Sequence, residues 1–186
     1  MADSKNVAAG KPYLGGGAFY APAGTAVPTD ATTALEAAYK DLGYISDDGV
    51  TQTRDVSSDA KIAWGGQQVL TTISSDALSY KVTFWESNAD VLKQAYGDDA
   101  VTVDAGGHIT VAPTLGKPLP RVVLVFEILL GTDKVRRIVV PQAQVTDWDD
   151  TTYSDGDPVG YALTYTAYPD DAGHAIYQYD ASIVTP

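Results

Sequence analysis

Residues Val122–Leu130 narrow the options for this chain more than any other stretch, because every position except Glu127 is apolar. Laid out as a strand, such a run is apolar on both faces and needs cover on both. The expected cover is a core on one side and a helix or a neighbouring subunit on the other. Val135–Val140 can pair back across Gly131-Thr132-Asp133. The run is far short of the ~18 residues of a membrane span.

The polar residues agree with a strand-rich chain. Of 24 acidic residues only Glu36, Glu86 and Glu127 are glutamates, and the rest are aspartates. Asp favours turns and caps, whereas Glu favours helix interiors. With 19 Thr, 19 Val and 12 Tyr, the class is mainly β.

Leu78–Glu86 alternates cleanly, with Leu78, Tyr80, Val82 and Phe84 on one face. Behind it the spacing predicts a helix over about 88–96, capped by Ser87 or Asn88, with Asp90 in its first turn and Gly97 after its end. A second short helix is expected over about 33–42. There Thr33 and Glu36 have capping-box spacing, Leu35, Ala38, Tyr39 and Leu42 share a face, and Gly43 follows. Further strands are expected at Ala18–Ala21, Tyr44–Ser46, Gln144–Trp148, Val159–Tyr168 and Ala175–Tyr179. Val101–Val103 and Ile109–Val111 read as a hairpin about Gly106-Gly107. The count is eight to eleven strands and one or two helices. No composition break divides the chain, so residues 1–186 read as one domain with a flexible N-terminal arm (about 1–17) and a short polar tail (about 180–186). Ser57–Gly66, small and polar apart from Ile62 and Trp64, is expected to order only when something covers it.

The chemistry open to the chain is limited. It has no cysteine, and His108 and His174 are its only imidazoles, which excludes disulfide frameworks, thiolate metal sites and thiol catalysis. A formal charge of −12 argues against gripping nucleic acid, which calls for Lys and Arg at the phosphates. Residues 1–11 carry no apolar run of the kind a secretory signal needs, so synthesis in a cytoplasm is expected. Asp147, Asp149, Asp155 and Asp157 could be read as a calcium site, but no cluster has EF-hand spacing and solvated acidic turns are the favoured reading. No nucleophile elbow, zinc-protease helix or phosphate loop occurs. The chain is read as no enzyme, with no cofactor and no bound metal. Trp64 and Trp148, in polar surroundings, fit sugar stacking, a subunit contact or partial burial under a loop.

The order of several words is informative: Leu42-Gly-Tyr-Ile-Ser-Asp-Asp-Gly-Val50, Ala63-Trp-Gly-Gly66 and Val91-Leu-Lys-Gln-Ala-Tyr-Gly97. Arg137-Ile-Val-Val-Pro-Gln-Ala143, Tyr153-Ser-Asp-Gly156 and Tyr165-Thr-Ala-Tyr-Pro-Asp170 follow. Together, over about 7–180, they resemble the major tail (tail tube) proteins of long-tailed, non-contractile, siphovirus-type bacteriophages, particularly those infecting actinobacteria. Pro113–Arg121 fits less well, and no immunoglobulin-like domain is expected after the tube domain.

The resemblance implies a two-sheet β-sandwich or barrel of the tail-tube type with a flanking helix. It implies a structural virion protein that self-assembles into stacked homohexameric rings. Its partners would be further copies of itself, a tape-measure protein in the lumen during assembly, tail terminator and tail-tip or initiator proteins, and genomic DNA passing through without specific binding. No membrane partner is implied, and synthesis would be in the host bacterial cytoplasm. Six copies would carry six times the −12 charge, and an acidic lumen would repel phosphate. Candidate contacts between subunits or rings are Tyr13, Leu14, Ile62, Trp64, Val123, Val125, Trp148 and Tyr179. The alternative from another class is a secreted-type β-sandwich carbohydrate-binding module, with Trp64 or Trp148 as the stacking platform.

Overall fold

The computed structural model describes residues 7–183. The Val122–Leu130 run becomes the centre of a nine-stranded antiparallel sheet. In chain order the strands are β1 (Gly10–Pro12), β2 (Ala18–Pro22), β3 (Lys40–Asp41), β4 (Ile45–Ile62), β5 (Gln68–Phe84), β6 (Val101–Val103), β7 (Ile109–Val111), β8 (Val122–Leu130), β9 (Lys134–Trp148), β10 (Tyr161–Ala167) and β11 (Tyr177–Ser182). The main path runs β3-β2-β8-β9-β10-β5-β4, with β1 added to β8 and β11 to β9, while β6 and β7 form a separate two-stranded sheet. One helix, α1 (Ala89–Tyr96), flanks the large sheet. The protein is mainly β with one helix.

The doubly apolar β8 is covered on both faces, as its pattern requires. Val122, Leu124 and Phe126 enter a large core with Tyr80, Val82, Phe84, Leu163 and Tyr165, and α1 contributes Val91, Leu92 and Ala95 to it. Val123 and Val125 point the other way and meet Ala21, Tyr39 and Val139, with Val27, Leu35 and Tyr179 against them. That second cover is neither a helix nor a neighbouring subunit, which corrects the expectation. It is residues 23–39 of the same chain, running irregularly across the sheet.

The helix expected over 33–42 does not form there. Asp30 takes the local hydrogen bonds instead: its Oδ1 accepts from the Thr32 and Thr33 amides at 2.7 and 2.6 Å, and its Oδ2 from the Thr33 hydroxyl. These bonds fold the chain tightly ahead of Thr33 and turn the Thr33 hydroxyl, the expected cap, back toward Asp30. They also hold the Asp30 carboxyl well below the usual carboxylate range. The Tyr39 hydroxyl donates to the Ala26 carbonyl at 2.8 Å. Beneath, Glu127 and Arg137 face each other across β8 and β9 and form a buried ion pair. The Arg137 Nη1 also donates to the Asp30 carbonyl at 2.8 Å, which pins the cover to the sheet.

Helix α1 forms as its sequence predicts. The Asn88 side chain accepts from the Val91 amide at 2.8 Å, and Gly97 (φ 97°) closes the last turn by donating to the Lys93 carbonyl. The β6–β7 hairpin also lies where expected.

Two segments depart from their expected bounds. β9 is one strand where Val135–Val140 and Gln144–Trp148 were read separately. Between the Leu124–Val140 and Val122–Ala143 pairs β9 carries one extra residue, so Pro141 falls in a bulge, where its missing N–H disturbs the ladder least. The segment read as an arm to residue 17 is paired through β1, with the Gly131 amide donating to the Ala9 carbonyl and the Tyr13 amide to the Glu127 carbonyl. Residues 1–6 of that arm and 184–186 of the tail lie outside the described residues, and β11 carries the chain to Ser182.

Candidate assembly surface

The stretch expected to stay unordered, Ser57–Gly66, is instead part of the longest hairpin in the sheet. β4 and β5 pair from Val50–Val82 out to Lys61–Leu70, with one extra β5 residue, Ser74, between the Ser57–Ser75 and Ser58–Ile73 pairs, and Ala63–Gln67 make the turn. Gly65 and Gly66 adopt φ of 111° and 87° there, which L side chains rarely do. Main-chain pairing to Gln68–Ala77 supplies the order that its polar side chains could not.

Only the inner part of this hairpin belongs to the body. β10 stops pairing with β5 at the Ala167–Leu78 step, so the outer part stands free with both faces exposed. Gln68–Ala77, at about 3.3 Å per residue, gives the free ribbon a reach of roughly 33 Å. Arg54 and Asp76 lock its base through a two-pronged bond. The guanidinium holds the Asp76 carboxyl below its ordinary range.

The face that carries Tyr80 and Val82 inside the core continues outward past the Arg54–Asp76 pair with exposed apolar side chains set among polar ones. Val56 opposes Asp76 and Ile73 opposes Ser58, with Ile62 and Val69 beyond them. Ile62 and Ile73 keep 67% and 66% of their surface in solvent, and Trp64 at the tip is fully exposed. Isolated apolar residues on a surface need no explanation, but a run of them on a projecting ribbon marks a contact surface.

The structure sorts the sequence candidates. Ile62 and Trp64 share the hairpin tip. Val123 and Val125 are corrected out of the set, since residues 23–39 bury them within the chain. Leu14 is exposed and Tyr13 half-buried in the β1–β2 connection. Tyr179 is half-buried, its ring parallel to that of Tyr177 with centroids 6.4 Å apart. Trp148 is half-exposed, donates its indole N–H to the Ala95 carbonyl at 2.8 Å, and lines a groove beside α1. Val56, Val69, Leu70 and Ile73 were missed. The available signal was Gly65-Gly66, a glycine turn between two segments long enough to pair.

The candidate chemical groups are dispersed. Asp149 pairs with Lys81, and Asp157 accepts from Ser154. His108 bonds Asp104 in the β6–β7 turn, and His174 stacks on Tyr177. Among the described residues no group of three or more His, Asp or Glu side chains is placed to hold a metal ion. No helix among them is long and apolar enough to cross a membrane.

An antiparallel sheet with a helix on one face and an exposed apolar ribbon reaching past its end presents a surface suited to contact with other chains. The family model for phage tail tube protein matches residues 3–181, and the chain belongs to that family. It is a structural tail tube protein and a component of the virion, from a family that is not normally enzymatic and that assembles with itself and other tail proteins into a tube. No curated protein matches it.

Proposed function

We infer that the chain builds the tail tube of a long-tailed, non-contractile phage with an actinobacterial host, as homohexameric rings stacked on a common axis. Residues 1–186 act as one tail-tube domain. The observation that carries the stacking is the free β4–β5 ribbon, whose apolar side chains are exposed among the described residues. Ile62 and Trp64 are its foremost contacts, and Tyr13, Leu14, Trp148 and Tyr179 serve as lesser ones. A tape-measure protein fills the lumen during assembly, terminator and tip proteins close the ends, and DNA leaves through the tube. The formal charge of −12 per chain supports passage without binding, since an acidic wall repels phosphate.

Negative-stain microscopy of the purified, concentrated chain tests this reading. Hollow tubes with a regular axial repeat and six-fold end views are expected. A chain that stays monomeric, even with tape-measure and initiator proteins added, would refute it.

A further inference from the structure

The hairpin tip and the groove beside α1 are matched to each other. The groove has a volume of about 700 Å³ and is lined by Tyr96, Leu115, Pro118, Trp148, Tyr161 and Leu163 among others. Two of its side-chain donors are spent internally, Trp148 on the Ala95 carbonyl and Gln144 on the Leu119 carbonyl. The slot is mostly apolar, with threonine and tyrosine hydroxyls at its edges, and Leu115 stands beside it almost wholly exposed. An indole brings a large flat apolar face and one N–H donor. Trp64 is such a group, carried on a glycine turn with no neighbour near Gly65 or Gly66.

Position and charge agree with this match. Tyr161 pairs with Phe84 and Leu163 with Trp148, so the groove opens beside the stretch of sheet farthest from the hairpin tip. The tip projects past the opposite end of β5. Knob and slot can satisfy each other in an antiparallel two-fold pair, but that pair closes on itself as a dimer. They can also be satisfied head to tail, each copy giving its tip to the next, and such contacts propagate. The tip from Lys61 to Gln68 carries one positive charge and no acid. Asp149 lines the groove, Asp98 and Asp99 line the depression next to it, and Asp147 lies close to Lys81; Lys117 pairs with Asp99 and Lys81 with Asp149.

We propose that the β4–β5 tip of one copy docks in the groove between α1, the 113–119 loop and β9–β10 of a second copy, with Trp64 as the buried anchor. The pairing rests on the tube reading and specifies which surface receives the ribbon. Residues that dominate the energy of protein contacts are enriched in tryptophan, and the apolar side chains behind Trp64 would lie along the same neighbour.

The absence of cysteine makes the test direct. A full-length Trp64→Cys/Leu115→Cys chain is assembled and treated with a short bismaleimide. A ladder of covalent dimers, trimers and higher species is expected on a denaturing gel, with no ladder from either single variant. Trp64→Ala, a surface change that leaves the fold intact, should raise the protein concentration needed for tubes by roughly tenfold or more. Tubes that form normally with Trp64→Ala, or that join Trp64→Cys only to itself, would overturn the pairing and leave the tube reading standing. A wild-type chain that forms no tubes, alone or with tape-measure and initiator proteins, would overturn both.

Discussion

Replacing Arg137 by Met isolates the one buried ion pair among the described residues and gives a large, separable effect. Glu127 and Arg137 each keep only 3% of their surface exposed. The Arg137 Nε donates to Glu127 Oε1 at 2.9 Å while Nη1 holds the Asp30 carbonyl. Arg137→Met therefore leaves a carboxylate buried without its partner, which costs about 3–5 kcal/mol. Loss of the donor to the part-buried Asp30 carbonyl adds about 1 kcal/mol. At a urea slope of about 2 kcal/mol/M, the unfolding midpoint should drop by roughly 2 M. The assay is circular dichroism in urea at neutral pH, below the concentration at which tubes form. Glu127→Leu/Arg137→Met removes both charges and should recover most of the loss, because an apolar replacement of a buried pair is often neutral or better. A single variant costing under about 1 kcal/mol would refute burial of the pair. A double variant as unstable as the single would place the cost in the lost bond to Asp30 instead.

Three further outcomes are expected. Asn88→Ala removes the bond to the Val91 amide and should cost about 1 kcal/mol by the same urea assay. Gly16→Ala would set a Cβ 1.4 Å from the Gly43 carbonyl oxygen, so the β1–β2 connection must move, costing on the order of 1–3 kcal/mol. Fast amide exchange at Tyr13 and Gly17 would report that movement, and unchanged exchange would contradict the close approach. Because Asp30 titrates below its ordinary range when folded, the unfolded chain binds more protons between the two values. Its contribution is complete above about pH 4 and is lost as pH falls through the folded value. Asp30→Asn should therefore flatten the acid limb of urea midpoint against pH, and an unchanged limb would count against those hydrogen bonds.

What could be read from the sequence was what local rules govern. The apolar run of β8, the alternation at Leu78–Phe84, the Asn88 cap and Gly97 stop of α1, and the Gly106-Gly107 hairpin each involve residues within a few positions of one another. Ile62 and Trp64 were legible as contact candidates because large apolar side chains stand out in a polar stretch. Tertiary structure decided the rest. The 33–42 segment forms no helix and is tied down by longer-range bonds around it, the Asp30 carbonyl to Arg137 and the Tyr39 hydroxyl to the Ala26 carbonyl. Val123 and Val125 looked like interface residues until a long-range contact covered them with residues 23–39. Val69 and Ile73 acquired meaning only once β5 paired with β4, because the face a strand residue presents depends on pairing and bulges rather than on its neighbours. The groove beside α1 is formed by segments from four parts of the chain, so no window of sequence contains it. A strand's need for cover is written in its side chains, but what supplies that cover depends on which distant segments meet it.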